Sequence, residues 1–332
     1  METLTSISAG KIAGLAAVSD KYGIIAAVAM DQRNSLQKAL GDDVSDEQLE
    51  EFKVAVTEVL TPNASAVLLD PEWGLAASRR RAKNAGLLLA YEKSGYDYNR
   101  PGRIPELLPH YSVRRLKDAG ADCCKVLLYY SPLEKTEIND EKHAFVERVG
   151  DECRGFDIPF FLELVTYDPA GGNEKGPEYA RQKPDIVAKT MAEFTRDRYG
   201  IDILKVEIPV NLRFVEETRV FSGDKVYSRK QAMEHFRVAA AQATKPFIYL
   251  SGGVSTAEFT ESLELAADAG VKFNGVLCGR ATWRGGIAVY AKGGVGALRT
   301  WLQDEGLKNL AKVNECLKRA SPWSTIYQVR AA

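Results

Sequence analysis

From residue 23 to its last helix the chain alternates short apolar runs with longer amphipathic stretches, and that alternation leaves few folds open. Eight runs have strand character: GIIAAVAM (23–30), SAVLLD (65–70), LLLAY (87–91), DCCKVLLYY (122–130), IPFFLELV (158–165), IDILKVEI (201–208), KPFIYLS (245–251) and FNGVLCG (273–279). Between them lie helical patterns, among them DEQLEEFKVAVTEVL (46–60), SVRRLKDAG (112–120), KPDIVAKTMAEFTRDRYG (183–200) and SRKQAMEHFRVAAAQA (228–243). A last helix is predicted near LRTWLQDEG and LKNLAKVNECLKRA. Strands joined through helices pair in parallel, because each crossover must return the chain to the same edge. A doubly wound open sheet meets that condition too, but the first strand here runs into MDQRN rather than a GxGxxG turn. The count of eight predicts a single-domain (β/α)8 barrel over residues 1–332, with segments 1–20 and 320–332 peripheral to it.

Side chains alternate faces along a strand, so each run splits into an outer and an inner set. In the sixth run Leu204, Val206 and Ile208 form an apolar face suited to packing under helices, and Ile203, Lys205 and Glu207 share the other. Lys125 lines up with Cys123, Leu127 and Tyr129, opposite Cys124, Val126 and Leu128. Glu163 lies opposite Phe160, Leu162 and Leu164, and Asp31 is in phase with Ala27 and Ala29. Burying a charge costs several kcal/mol unless it is paired or neutralised. A ladder of structural ion pairs would account for Lys125 beside Glu163. Two lysines and two carboxylates converging near the C-terminal ends of barrel strands fit an active site better. They suit imine chemistry, in which a lysine attacks a ketone as the free amine. Its pKa must then fall by about 3 units, or about 4 kcal/mol. Low dielectric and a neighbouring cation both push it that way. Both lysines sit mid-strand and face inward, so the pattern leaves open which of them forms the imine.

The seventh run leads into SGGVSTAEF (251–259) and the eighth into GRATWRGG (279–286). Glycines between a strand and a helix let backbone N–H groups approach an anion, and the loops after strands 7 and 8 are a common phosphate site in barrels. Ser251, Gly252, Gly253, Gly279 and Arg280 are therefore predicted to form one phosphate cradle. His110, His143 and His235 fall off the strand ends and far apart, so no zinc ligand set is predicted and the chemistry needs neither metal nor cofactor. Five cysteines without CxxC spacing read as reduced thiols of a cytoplasmic protein. The balance of 44 Lys+Arg against 45 Asp+Glu predicts no nucleic-acid partner. No run approaches the roughly 20 apolar residues of a membrane span, and the N-terminus has no signal-peptide pattern.

AMDQR, LLDPEWGL, LLLAYEKSGYD, KVLLYYSPLE, IPFFLELVTYD, ILKVEIPVN, IYLSGGVS and FNGVLCGRATW, in that order between about residues 20 and 320, together resemble the class I tagatose 1,6-bisphosphate aldolase family. The resemblance implies a metal-independent barrel that cleaves D-tagatose 1,6-bisphosphate to dihydroxyacetone phosphate and D-glyceraldehyde 3-phosphate in galactose and lactose breakdown. It implies Lys205 as the imine-forming residue, Lys125 as the second site lysine, Glu163 as the acid/base and Asp31 as the strand-1 carboxylate. It supports Ser251, Gly253 and Arg280 around the C1 phosphate, with Gln32 and Arg33 reaching the substrate. Two positions depart from the family pattern: Ser131 stands where an aspartate is expected, and Gly252 where an alanine is. Alternatives with the same chemistry are fructose 1,6-bisphosphate and a sulfonated ketose 1-phosphate such as sulfofructose 1-phosphate. A phosphosugar-binding protein without turnover is the alternative of a different class. Trp323 and Ile326 suit either a contact in a homo-oligomer or the floor of the barrel.

Overall fold

All eight predicted runs form strands in the computed structural model, which describes residues 4–41 and 43–329. They are β1 (Ile25–Ala29), β2 (Ala66–Leu69), β3 (Gly86–Ala90), β4 (Cys123–Tyr130), β5 (Phe160–Thr166), β6 (Ile203–Val206), β7 (Phe247–Leu250) and β8 (Gly275–Cys278). Each pairs in parallel with the next, and β8 closes on β1. Closure removes every sheet edge and gives each strand an inner and an outer face.

The two faces separate as the alternation predicts. Outward residues such as Cys124, Val126, Leu162, Leu204 and Val206 pack under the surrounding helices. Inward residues such as Ala27, Leu68, Cys123, Phe161, Ile203 and Ile248 fill the barrel. Register then sets the height of the polar groups. Glu163 and Lys205 are directly paired across β5 and β6, while Lys125 pairs with Phe161, two residues earlier on β5. Lys125 is rooted one layer down, among apolar side chains, and its four-carbon stem lifts the ammonium to the carboxylates.

The helix at Asp46–Leu60 begins at a Ser45–Gln48 capping box, and the one at Arg229–Ala240 at a Ser228–Gln231 box. The helix predicted over 183–200 instead spans Pro177–Phe194 and carries Pro184 in its interior. Proline at the first turn is pre-organised for a helix, which favours a start at Pro184. Burial of Tyr179, Ile186, Val187, Met191 and Phe194 on one face carries the helix through it. A separate 3-10 turn, Asp197–Tyr199, follows and ends at Gly200 with φ 63°.

The described parts of the terminal segments, expected at the periphery, contribute residues to the core. Strand Thr5–Ile7 pairs in parallel with Tyr327–Val329, and Leu15, Val18, Trp323 and Tyr327 pack among the inward residues of the barrel. The lower mouth of an eight-stranded barrel exposes apolar side chains, and these residues cover it. Polar ties fix the plug: Lys11 Nζ donates to Asp202 Oδ2 at 2.7 Å, Tyr327 Oη to the Asp202 carbonyl at 2.7 Å, and Trp323 Nε1 to Ser19 Oγ at 2.8 Å. Trp323 therefore belongs to the floor. Trp323→Ala is expected to lower the unfolding free energy by about 3–5 kcal/mol in urea titrations. A loss below about 1 kcal/mol would mean that the plug is not part of the cooperative core.

Candidate active site

At the C-terminal ends of the strands lies a cavity of about 570 Å³ lined by Asp31, Gln32, Arg33, Glu92, Lys125, Glu163 and Lys205 on one side and by Ser251, Gly252, Gly253, Gly279 and Arg280 on the other. All eleven residues singled out in the sequence line this one space. Lys125, fully buried, is its electrostatic centre. Its Nζ donates to Asp31 Oδ2 at 2.7 Å and Glu92 Oε1 at 2.8 Å, and lies 2.8 Å from Glu163 Oε2. The same Glu163 oxygen lies 2.8 Å from Lys205 Nζ. Glu163 thus bridges the two ammonium groups.

Burial disfavours the charge on Lys125, but Asp31, Glu163 and Glu92 outweigh it and hold its pKa well above the ordinary lysine value. Burial likewise works against the carboxylates. The ammonium groups of Lys125 and Lys205 overcome it, so Asp31 is held well below the usual carboxylate range and Glu163 is lowered too, despite repulsion from Asp31. Lys125 is the cation in place to favour an uncharged neighbouring lysine. It lies one carboxylate away, with its charge engaged by three acids rather than directed at Lys205 alone.

Glu92 is a site residue that the sequence reading left out. It lies just beyond β3, in phase with the inward Leu88, and the apolar run LLLAY ends one residue before it, at Tyr91. Arg33, also buried, donates to Glu72 at 2.7 Å and lies 3.5 Å from Glu92, so it braces the wall of the cavity. Asp31 Oδ1, Gln32 Oε1 and Glu92 Oε2 are buried acceptors without a hydrogen-bond partner among the described residues.

On the opposite wall, Gly252 and Gly253 have φ of 58° and 80°, the left-handed region that favours glycine. A Cβ on Gly253 would stand 2.8 Å from the Arg280 guanidinium carbon, so glycine here lets the arginine lie across the loop. The left-handed backbone at Gly252 suits the glycine that stands there where the family pattern has alanine. Ser131, the other departure, is buried beyond β4 and lines neither this cavity nor the adjoining one. That second cavity, of about 1070 Å³, shares Ser251, Gly252, Gly253 and Arg280. Glu207 lines both, and accepts from the Thr166 amide at 2.7 Å with Lys183 at 3.2 Å.

His143 lies in an aromatic cluster with Tyr130 and Phe194, and His235 stacks edge-on to Tyr227. Among the described residues no group of three or more His, Cys, Asp or Glu side chains is arranged to hold a metal ion. No helix among them is long and apolar enough to cross a membrane.

A closed parallel barrel with a lysine–carboxylate–lysine bridge beside a glycine–arginine cradle defines a barrel lyase of the lysine-dependent type. The chain belongs to the DeoC/LacD aldolase family, whose model matches residues 25–285. It is 46% identical over 320 residues to tagatose 1,6-diphosphate aldolase 1 of Enterococcus faecalis, covering 96% of this chain and 98% of that one. It is 49% identical over 315 residues to tagatose 1,6-diphosphate aldolase 2 of Streptococcus mutans, covering 93% and 95%. The fold is shared with fructose-bisphosphate aldolase from Plasmodium falciparum, with a TM-score of 0.65, 13% identity and 99% of each chain covered. A Schiff base forming fructose-1,6-bisphosphate aldolase aligns with a TM-score of 0.54 at 16% identity, over 91% of this chain and 97% of that one.

Removing the central ammonium leaves three acids facing one another. Lys125→Met is expected to destabilise the fold by about 3–5 kcal/mol at pH 7. Without the cation, burial and mutual repulsion raise the folded-state pKa of these acids above the unfolded values, so the penalty is present above about pH 4 and relieved as they take up protons. The native protein moves the other way. Its lowered Asp31 and Glu163 contribute stability that is present above the unfolded pKa and lost as pH falls. The gap between the two proteins should therefore narrow from pH 7 to pH 5 in denaturant titrations, and a gap that widens would contradict the charge assignment.

Proposed function

We propose that the protein is a cytoplasmic class I aldolase that cleaves D-tagatose 1,6-bisphosphate to dihydroxyacetone phosphate and D-glyceraldehyde 3-phosphate through an imine on Lys205. The observation that carries this reading is the 2.8 Å contact of Glu163 with Lys205 between β5 and β6, beside the glycine–arginine cradle. The names of the relatives at 46% and 49% identity support the substrate.

The substrate's C1 phosphate sits against Ser251, Gly253 and Arg280, which brings the C2 ketone to Lys205. Glu163 takes a proton from the Lys205 ammonium, the free amine attacks C2, and the carbinolamine hydroxyl leaves as water with that proton to give an iminium. Glu163, held ionised by the two lysines, takes the proton of the C4 hydroxyl. The C3–C4 bond then breaks. Its electron pair moves into the iminium to give an enamine, and glyceraldehyde 3-phosphate leaves as the aldehyde. Protonation of the enamine at C3 and hydrolysis of the imine release dihydroxyacetone phosphate and restore Lys205. Lys125 keeps Asp31 and Glu163 charged and holds Glu92 in place. The remaining acceptor oxygens of Asp31 and Glu92 suit sugar hydroxyls.

The test is borohydride reduction in the presence of dihydroxyacetone phosphate, followed by peptide mapping. The expected result is one adduct on the Lys205 peptide, unaffected by EDTA and absent from Lys205→Ala. An adduct on Lys125 would exchange the roles of the two lysines. No adduct, where a reference class I aldolase is labelled, would leave a phosphosugar-binding protein as the better reading. Glu163→Gln is expected to lower kcat for tagatose 1,6-bisphosphate cleavage by roughly 10²- to 10⁴-fold. A comparison of tagatose and fructose bisphosphates, which differ in configuration at C4, measures the sugar preference.

A further inference from the structure

The last ladder bond of β1 runs from the Met30 amide to the Leu68 carbonyl at 2.8 Å. Asp31, Gln32 and Arg33 lie past it, so the sheet itself does not hold them. At Arg33 the backbone takes φ −115° and ψ −91°, outside the strand region. What grips this segment comes from outside the barrel. Lys53, in the third turn of helix Asp46–Leu60, is fully buried, and its ammonium donates to the carbonyls of Met30 and Gln32, both at 2.8 Å. Those carbonyls flank Asp31 on either side.

The third Lys53 contact is Asp70 Oδ2 at 2.5 Å, just beyond β2 and equally buried. The other oxygen of Asp70 accepts from the amides of Glu72 at 3.1 Å and Trp73 at 2.8 Å. This fixes the turn that carries Glu72, the partner of Arg33. Arg33 in turn braces Glu92, which accepts from Lys125. From one ammonium, two branches reach Lys125: through the backbone of Asp31, and through Asp70, Glu72, Arg33 and Glu92.

We propose that Lys53 is a positioning residue of the active site, setting the place of Asp31 from behind the barrel wall and thereby the arrangement of acids around Lys125. A lysine–aspartate pair that served stability alone could be replaced by apolar groups of similar volume with little loss. This pair spends two of its three donors on the carbonyls that bracket a site carboxylate. The inference rests on the aldolase reading above.

The experiment uses the full chain and the paired variant Lys53→Met/Asp70→Asn, which removes both buried charges and keeps the oxygen that caps the turn. Cleavage of tagatose 1,6-bisphosphate and borohydride trapping with dihydroxyacetone phosphate are measured, below the unfolding transition, in the native and Asp31→Asn backgrounds. In the native background, kcat/KM and the trapping rate are expected to fall about 10- to 100-fold, the scale of a small misplacement of reacting groups. In the Asp31→Asn background the same pair should add less than about 2-fold, because the group it positions is already disabled. An equal loss in both backgrounds, or none in the native one, would overturn the positioning role. Asp70→Asn alone, which leaves Lys53 its acceptors, should show a smaller loss with the same dependence on Asp31. It decides the question if the paired variant does not fold. Failure of the native protein itself to trap or cleave would be seen before any variant is compared, and would overturn the aldolase reading and this inference with it.

Discussion

One buried ammonium organises the catalytic end of this barrel. Lys125 cannot remain charged inside a dry wall unless anions surround it, and it has three: one beyond the end of β1, one beyond β3 and one on β5. Asp31 and Glu163 in turn remain ionised because the ammonium lies among them. Neither set is tenable alone, so the strand ends meet at one point for an electrostatic reason as well as a topological one. The closed sheet is what makes this possible. In an open sheet β1 and β5 would be separated by the strands between them, whereas a barrel points both inward at a common axis.

The cavity is divided accordingly. Acids and lysines occupy the β1 to β6 side, and the glycine turns with Arg280 occupy the β7 to β8 side. In the proposed reaction the phosphate is anchored on the second wall and the ketone falls between the two, opposite Lys205. Gly253 contributes by what it lacks, because any side chain there would meet the guanidinium. Division of labour along the substrate thus follows from strand order.

Much of this was legible from alternation alone. Lys125, Glu163 and Lys205 stand out because each interrupts an apolar run in phase with inward neighbours, and Asp31 follows two alanines in the same phase. Glu92 escaped because Tyr91 is followed by a polar stretch that reads as loop, although the phase from Leu88 continues to it. Lys53 carries no signal in sequence: a lysine in DEQLEEFKVAVTEVL looks like any solvated helix residue, and only its depth against Met30 and Asp70 sets it apart. The floor of the barrel was legible only as one of two readings of Trp323, for another reason. Trp323 and Tyr327 are far in sequence from what they cover, and no period links them to it. Pro184 misled as a helix start because local propensity yielded to burial of a whole face.

Two modes of positioning emerge from the register. Lys125, Glu163 and Lys205 all lie within paired stretches of the sheet, where neighbouring strands fix the backbone on both sides. Asp31, Glu92 and the Ser251–Gly253 turn lie past the ladder, where the barrel imposes nothing. Each of these has its own device: the Lys53 tripod at Asp31, the Arg33 brace and the Glu92–Leu107 bridge at Glu92, and Arg280 across Gly253 at the cradle. The groups proposed to make and break bonds therefore stand on the rigid part of the fold, and the groups proposed to fit the substrate stand on supported extensions of it. Such a division lets a change in a support retune the fit, while the lysine–carboxylate–lysine bridge stays fixed by strand register.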